Sequence, residues 1–146
     1  MVDLIYIPGS PAELIDRITI LEIKASRISA PDKLTHVHFE LSSLTDVFDR
    51  HLPKSAELQA RKAQLKSLNE TLWGLEDDIR NYERAQDFGE GFVNVARRIY
   101  QTNDKRTALK REINTKLGSR IVEVRSYSDG CSLPDNPSAS QNKTEV

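Results

Sequence analysis

At 146 residues the chain is the size of one domain, long enough to bury roughly two-thirds of the surface its unfolded form would expose. With 29% charged residues, 38% hydrophobic ones and only six Gly and six Pro, the composition favours helices over a turn-rich sandwich. The net charge of −1 and the single cysteine, Cys131, exclude a strongly basic nucleic-acid binder, an intrachain disulfide and a thiolate metal cluster.

Residues 2–7 (VDLIYI) form a short aliphatic and aromatic run closed by Pro8-Gly9, which predicts a strand. A helix start follows. Ser10 is a capping residue, Pro11 suits the first helical position, and Glu13 completes a capping box. Leu14, Ile18, Leu21, Ala25 and Ile28 run along this first helix at steps of four and three. Ile15, Ile20 and Ile23 lie off that seam, so helix one is expected to be the most buried. A break at residues 29–32 opens a second helix with Leu34, Val37, Leu41, Leu44 and Phe48 on its seam, ending at Leu52-Pro53. The third helix runs from about Lys54 to Gln86, about 48 Å of helix. A turn follows at residues 87–91, and a fourth helix runs to about Leu117, stopped by Gly118.

Residues 120–127 (RIVEVRSY) again have strand character. Two lone strands at opposite ends of a helical chain predict a two-stranded β-ribbon lying on the helices. The expected fold is therefore mainly α: an antiparallel four-helix bundle with a long hairpin of helices three and four, closed by that ribbon. Residues 1–127 form one domain, and 128–146, polar throughout, are read as a disordered tail. No stretch has the ~20 apolar residues of a membrane span, and the start lacks a secretory pattern, which predicts a cytoplasmic protein.

Charge is segregated in blocks. Residues 1–53 sum to −3, 54–69 to +3, 70–96 to −5, 97–125 to +6 and 126–146 to −2. Beside the apolar seam of helix three runs a stripe of Asn69, Trp73, Glu76, Arg80 and Glu83. On helix four the inward seam passes through Asn103, Arg106 and Lys110, groups that must be paired, hydrated or bound if buried. A turn at residues 88–89 would set Arg80 opposite Arg97, Glu76 opposite Gln101, Asp77 opposite Tyr100 and Trp73 opposite Asp104.

Towards the other end of the hairpin, Lys54, Arg61, Lys62 and Lys66 approach Lys105, Arg106, Lys110, Arg111 and Lys116. Such crowding needs either counterions from helices one and two (Asp16, Glu22, Glu40 and Asp46 being candidates) or a bound anion. Three functions follow: an interaction or accessory module docking a partner or a second copy, a binder of a phosphate-bearing small molecule, or an enzyme acting on one. For the third, Glu76 or Asp77 would be the base and Arg80, Arg106 and Lys110 would stabilise charge. No catalytic constellation is complete, no cofactor is implied, and His36, His38 and His51 lack metal-ligand spacing. The spacing in residues 12–28 superficially matches helical chorismate mutases, but His38 stands where their lysine is expected.

ELIDRITILEIKASRI, NETLWGLEDDIRNYE, ARRIYQTNDKRTALKREIN and VEVRSY together resemble a family of short bacterial and phage proteins known only as a domain of unknown function. The resemblance spans about residues 4–127. It implies a compact helical protein, and it implies no reaction. It highlights Trp73, Glu76, Asp77, Arg80, Arg97, Tyr100, Asn103, Asp104, Arg106, Lys110 and Asn114, to which the stripe adds Asn69. Val124 departs from the pattern, where similar chains carry a second acidic residue.

Overall fold

The computed structural model describes residues 1–126 and contains four helices: α1 (Pro11–Arg27), α2 (Pro31–His51), α3 (Ala56–Arg84) and α4 (Glu90–Lys116). The mainly helical four-helix architecture is as expected; the β-ribbon is not there. Among the described residues there is no strand. Residues 2–7 and 120–126 have no regular secondary structure, with a bend at Arg120, and Tyr127 lies outside the described residues. A lone two-stranded ribbon is marginal without a surface to lie on. Here the outgoing segment is tied to α4 through its charged side chains: Glu123 lies 3.2 Å from Lys110, and Arg125 3.9 Å from Asp104. Residues 1–9 are all exposed. The predicted tail falls in residues that are not described.

α1 is the centre of the fold. It packs against each of the other three helices, whereas α2 runs along α1 and meets α3 near its own end, where Lys62 lies 5.8 Å from the Phe48 ring. Seven of its seventeen residues are buried, more than in any other helix. The core gathers Ala12, Ile15 and Ile18 of α1, Phe48 of α2, Leu58 and Leu65 of α3, and Leu109 and Ile113 of α4. The N-terminal half of α1 meets α4, and its later residues reach α3, so α1 bridges the long hairpin. At 29 residues, α3 is about 44 Å long.

Helix ends follow local chemistry. Ser10 and Ser55 cap α1 and α3, accepting from Glu13 N at 3.2 Å and Leu58 N at 3.1 Å. The capping box is only half formed, since the Glu13 carboxylate turns to Lys110. Gly118 ends α4 at φ +65°, with Ser119 N bonding Asn114 O at 2.9 Å. α3 ends by the same device on a less usual residue. Gln86 takes φ +54°, and Asp87 N reaches back to Tyr82 O at 3.0 Å.

That left-handed glutamine starts the turn earlier than the spacing predicts and moves the hairpin register by one helical turn. Glu57 faces Lys116, Arg61 faces Glu112, and Tyr82 fills the space beside Gly91. Arg97 is then level with Glu76 instead of Arg80. The like-charged pairing expected at that level does not arise.

Candidate functional site

Asp16 sits in the middle of an otherwise aliphatic stretch of α1 and is 3% exposed. A lone buried carboxylate would cost several kcal/mol. The hairpin supplies its partners. Arg106 of α4 donates from Nε to Oδ1 at 3.2 Å and from Nη2 to Oδ2 at 3.0 Å, a two-pronged contact suited to the planar guanidinium. Asn69 of α3 donates to Oδ1 at 2.8 Å and to the hydroxyl of Thr19 at 2.9 Å, while Thr19 donates to the carbonyl of Asp16. Asn103 accepts from the remaining arm of Arg106 at 2.8 Å.

Lys110, one turn further along α4, is also buried. Its ammonium pairs with Glu13, with Glu123 at 3.2 Å and with Asp16 at 3.7 Å. Burial works against its charge, but the three carboxylates more than offset that and hold its pKa above the ordinary lysine value. For Glu123 burial pushes upward, yet Lys110 and Arg125 win and hold it below the usual carboxylate range. One further turn on, Asn114 accepts from the buried N–H of Ala12 at 2.9 Å, filling one of the orphan donors at the start of α1. α4 thus presents Asn103, Arg106, Lys110 and Asn114 to α1 as one ladder, and Asn69 closes it from α3.

The remaining sequence candidates are elsewhere. Trp73 is half-buried with the Arg27 guanidinium 6.0 Å from its ring, so its face is already occupied. Glu76 and Arg80 pair with each other on the exposed side of α3. Asp77, Arg97 and Tyr100 are exposed, and Asp104 reaches only Arg125. The twelve therefore divide: five converge (Asn69, Asn103, Arg106, Lys110 and Asn114), and seven do not join them. The residues that complete the cluster, Asp16, Thr19, Glu13 and Glu123, lie outside that set. Their signal was the interruption of an aliphatic helix by Asp16 and Thr19, three apart and therefore on one face.

The premise for a bound anion was a shortage of counterions; the structure gives carboxylate partners to six of the nine crowded cations, while the exposed Lys54, Lys105 and Arg111 have none among the described residues. Lys62 and Lys66 share Glu22, at 2.9 and 3.3 Å, and Glu22 is held below its ordinary pKa because these two cations outweigh its burial. Arg61 pairs with Glu112 at 2.7 Å and Glu57 at 3.6 Å, and Lys116 pairs with Glu57. Arg106 and Lys110 face Glu13, Asp16 and Glu123, two cations against three carboxylates. Of the four proposed acids, Asp16 and Glu22 do this work, and Glu40 pairs instead with Arg17 at 2.6 Å.

The geometry thus defines a helical protein whose buried polar groups are paired within the chain and whose two flanking segments carry exposed apolar residues. Residues 5–144 match the model of a family of unknown function (DUF6165), and the chain belongs to that family. No curated protein and no solved structure matches it. No described helix is long and apolar enough to cross a membrane.

Proposed function

We propose that this chain is an interaction module whose contact surface is formed by the segments 1–9 and 119–126, with the bundle as their mount. The observation that carries this reading is an inverted pattern in residues 121–126. Glu123 and Arg125 are half-buried against α4, while Val122 and Val124 point outward, Val124 being 83% exposed. A segment that only closed a fold would turn its valines inward and its charges out. Residues 2–7 add Leu4, Ile5, Tyr6 and Ile7, all exposed. Exposed large apolar side chains concentrated in two segments whose roots are neighbours favour a site of association.

The buried ladder supports the same reading as a mounting device. It joins the start of α1 to the end of α4, which are the two points from which the segments depart. A contact surface built on two chain segments needs their roots held in one place.

The test is a pair of measurements on Val122→Ser/Val124→Ser. Binding of a hydrophobic dye should fall several-fold while the thermal midpoint changes by no more than about 2 °C. A midpoint loss as large as that of a core leucine would show the valines to be structural and overturn the reading.

A further inference from the structure

Segment 119–126 is attached to the bundle without belonging to its core. α4 closes before the segment starts: Gly118 turns at φ +65°, and Ser119 N bonds Asn114 O at 2.9 Å. The hydrophobic core and the half-buried residues around it end at Leu117. From there the chain doubles back along α4, bringing Glu123 to Lys110 and Arg125 to Asp104. Its apolar side chains contribute little to this attachment, since Ile121, Val122 and Val124 are all exposed. Glu123 Oε2 is enclosed 3.2 Å from Lys110 Nζ yet makes no hydrogen bond among the described residues, so the contact is one of charge and not of direction.

The state of Lys110 decides whether the segment can leave. A buried ammonium stripped of every partner would hold it in place. Lys110 is not stripped, because Glu13 and Asp16, both on α1, still pair with it when Glu123 departs. Arg106 keeps Asp16. Two cations then face two carboxylates, and the bundle side of the contact stays balanced. The Glu123 carboxylate moves into water, where its charge is fully solvated.

We propose that residues 119–126 form a detachable strap, held on α4 by the Glu123–Lys110 contact and released, with the bundle intact, when that attraction is screened. Its consequence rests on the interaction-module reading. Strapped, Val122 and Val124 are presented at one place beside α4; released, they are carried on a loose chain, so ionic conditions set which form a partner meets. The opening is local, of the kind that leaves the core closed. Attraction between partly exposed charges weakens as the screening length shortens from about 10 Å at 0.1 M salt to about 3 Å at 1 M.

Pulsed dipolar spectroscopy tests this on the full chain in a Cys131→Ser background, with nitroxides at Asn94→Cys and Val124→Cys, both exposed positions. At low salt one narrow distance should dominate. Glu123→Gln, or molar NaCl without it, should move about fivefold more of the population into a broad distribution. The thermal midpoint of Glu123→Gln should stay within about 2 °C of the parent. Val122→Ser should leave the populations unchanged within about twofold. Three results overturn the strap: a distribution that is broad from the start or that neither Glu123→Gln nor salt alters, a midpoint that falls with Glu123→Gln as far as with Asp16→Asn, or release by Val122→Ser equal to that by Glu123→Gln. A strap that stays in place while the double serine variant still loses dye leaves the interaction-module reading standing. A strap that releases as expected beside unchanged dye binding removes that reading and keeps the strap.

Discussion

Replacing Asp16 by Asn keeps the side chain's shape and removes its charge. In the structure this removes the charge that Arg106 meets at 3.0 and 3.2 Å, turns one of its two acceptors into an N–H donor, and deprives Lys110 of one of three carboxylates. Breaking a buried ion pair from one side costs about 3–5 kcal/mol, mostly because the surviving charge is stranded. Arg106 retains 22% of its side-chain exposure, and Lys110 keeps Glu13 and Glu123, so the expected loss is about 2–4 kcal/mol. That is a large share of the ~5–15 kcal/mol that holds a typical domain together. At about 2–4 °C per kcal/mol for a chain near this size, the melting midpoint should fall by ~5–15 °C. The assay is denaturant and thermal unfolding of Asp16→Asn, Arg106→Met and the double variant Asp16→Asn/Arg106→Met. The double variant should lose less than the sum of the singles, because neither charge is left alone. A loss below about 1 kcal/mol for Asp16→Asn, or strict additivity, would refute the account of the network. A rise in stability on Arg106→Met would restore the case for uncompensated positive charge, and the unsubstituted protein should then also be stabilised by phosphate.

Asn114→Ala removes the acceptor for the buried Ala12 N–H and should cost about 1–3 kcal/mol by chemical denaturation, with no change in net charge. Glu22 is held below its ordinary pKa, so its stabilising contribution is complete above about pH 4.3 and is lost as pH falls through the lower folded value. Glu22→Gln should accordingly flatten the acid limb of the stability profile below about pH 4.3 and leave Lys62 and Lys66 more open to acetylation. Gln86→Gly relieves a side chain at φ +54° and should raise stability by about 0.5–1 kcal/mol in the same unfolding assay, less whatever its bond to Glu83 O contributes.

The helices could be read from the chain because their signals are local. Ser10, Pro11 and Gly118 punctuate them, and threefold and fourfold spacing identifies the inward faces. Central burial of α1 was also legible, in the isoleucines that lie off its main seam. The hairpin register was not. It turns on Gln86 adopting a conformation that residue names do not advertise, and a shift of one turn reassigns every facing pair. The ribbon failed for a related reason. Strand-like composition in residues 2–7 and 120–126 states a preference for extended backbone, and pairing depends on what else the segment can hold; here Glu123 and Arg125 hold α4. Arg106 and Lys110 could be recognised as anomalous on an inward seam. Which carboxylates answered them was settled by tertiary approach, across separations of 90 and 97 positions.

Asn114 bonding to Ala12 has a topological corollary. The first turn of α1 and the last turn of α4 are neighbours, so the helical part of the chain is nearly a closed ring whose one distant point is the loop after Gln86. Splicing α4 to α1 by a short flexible bridge and opening the chain at that loop would leave the contacts of Asp16 with Thr19, Asn69, Arg106 and Lys110 in place, because none of them depends on the α3–α4 connection being intact; only Glu123, which lies beyond α4, would be given up. The order in which the four helices leave the ribosome is, on this geometry, separable from the shape they make together.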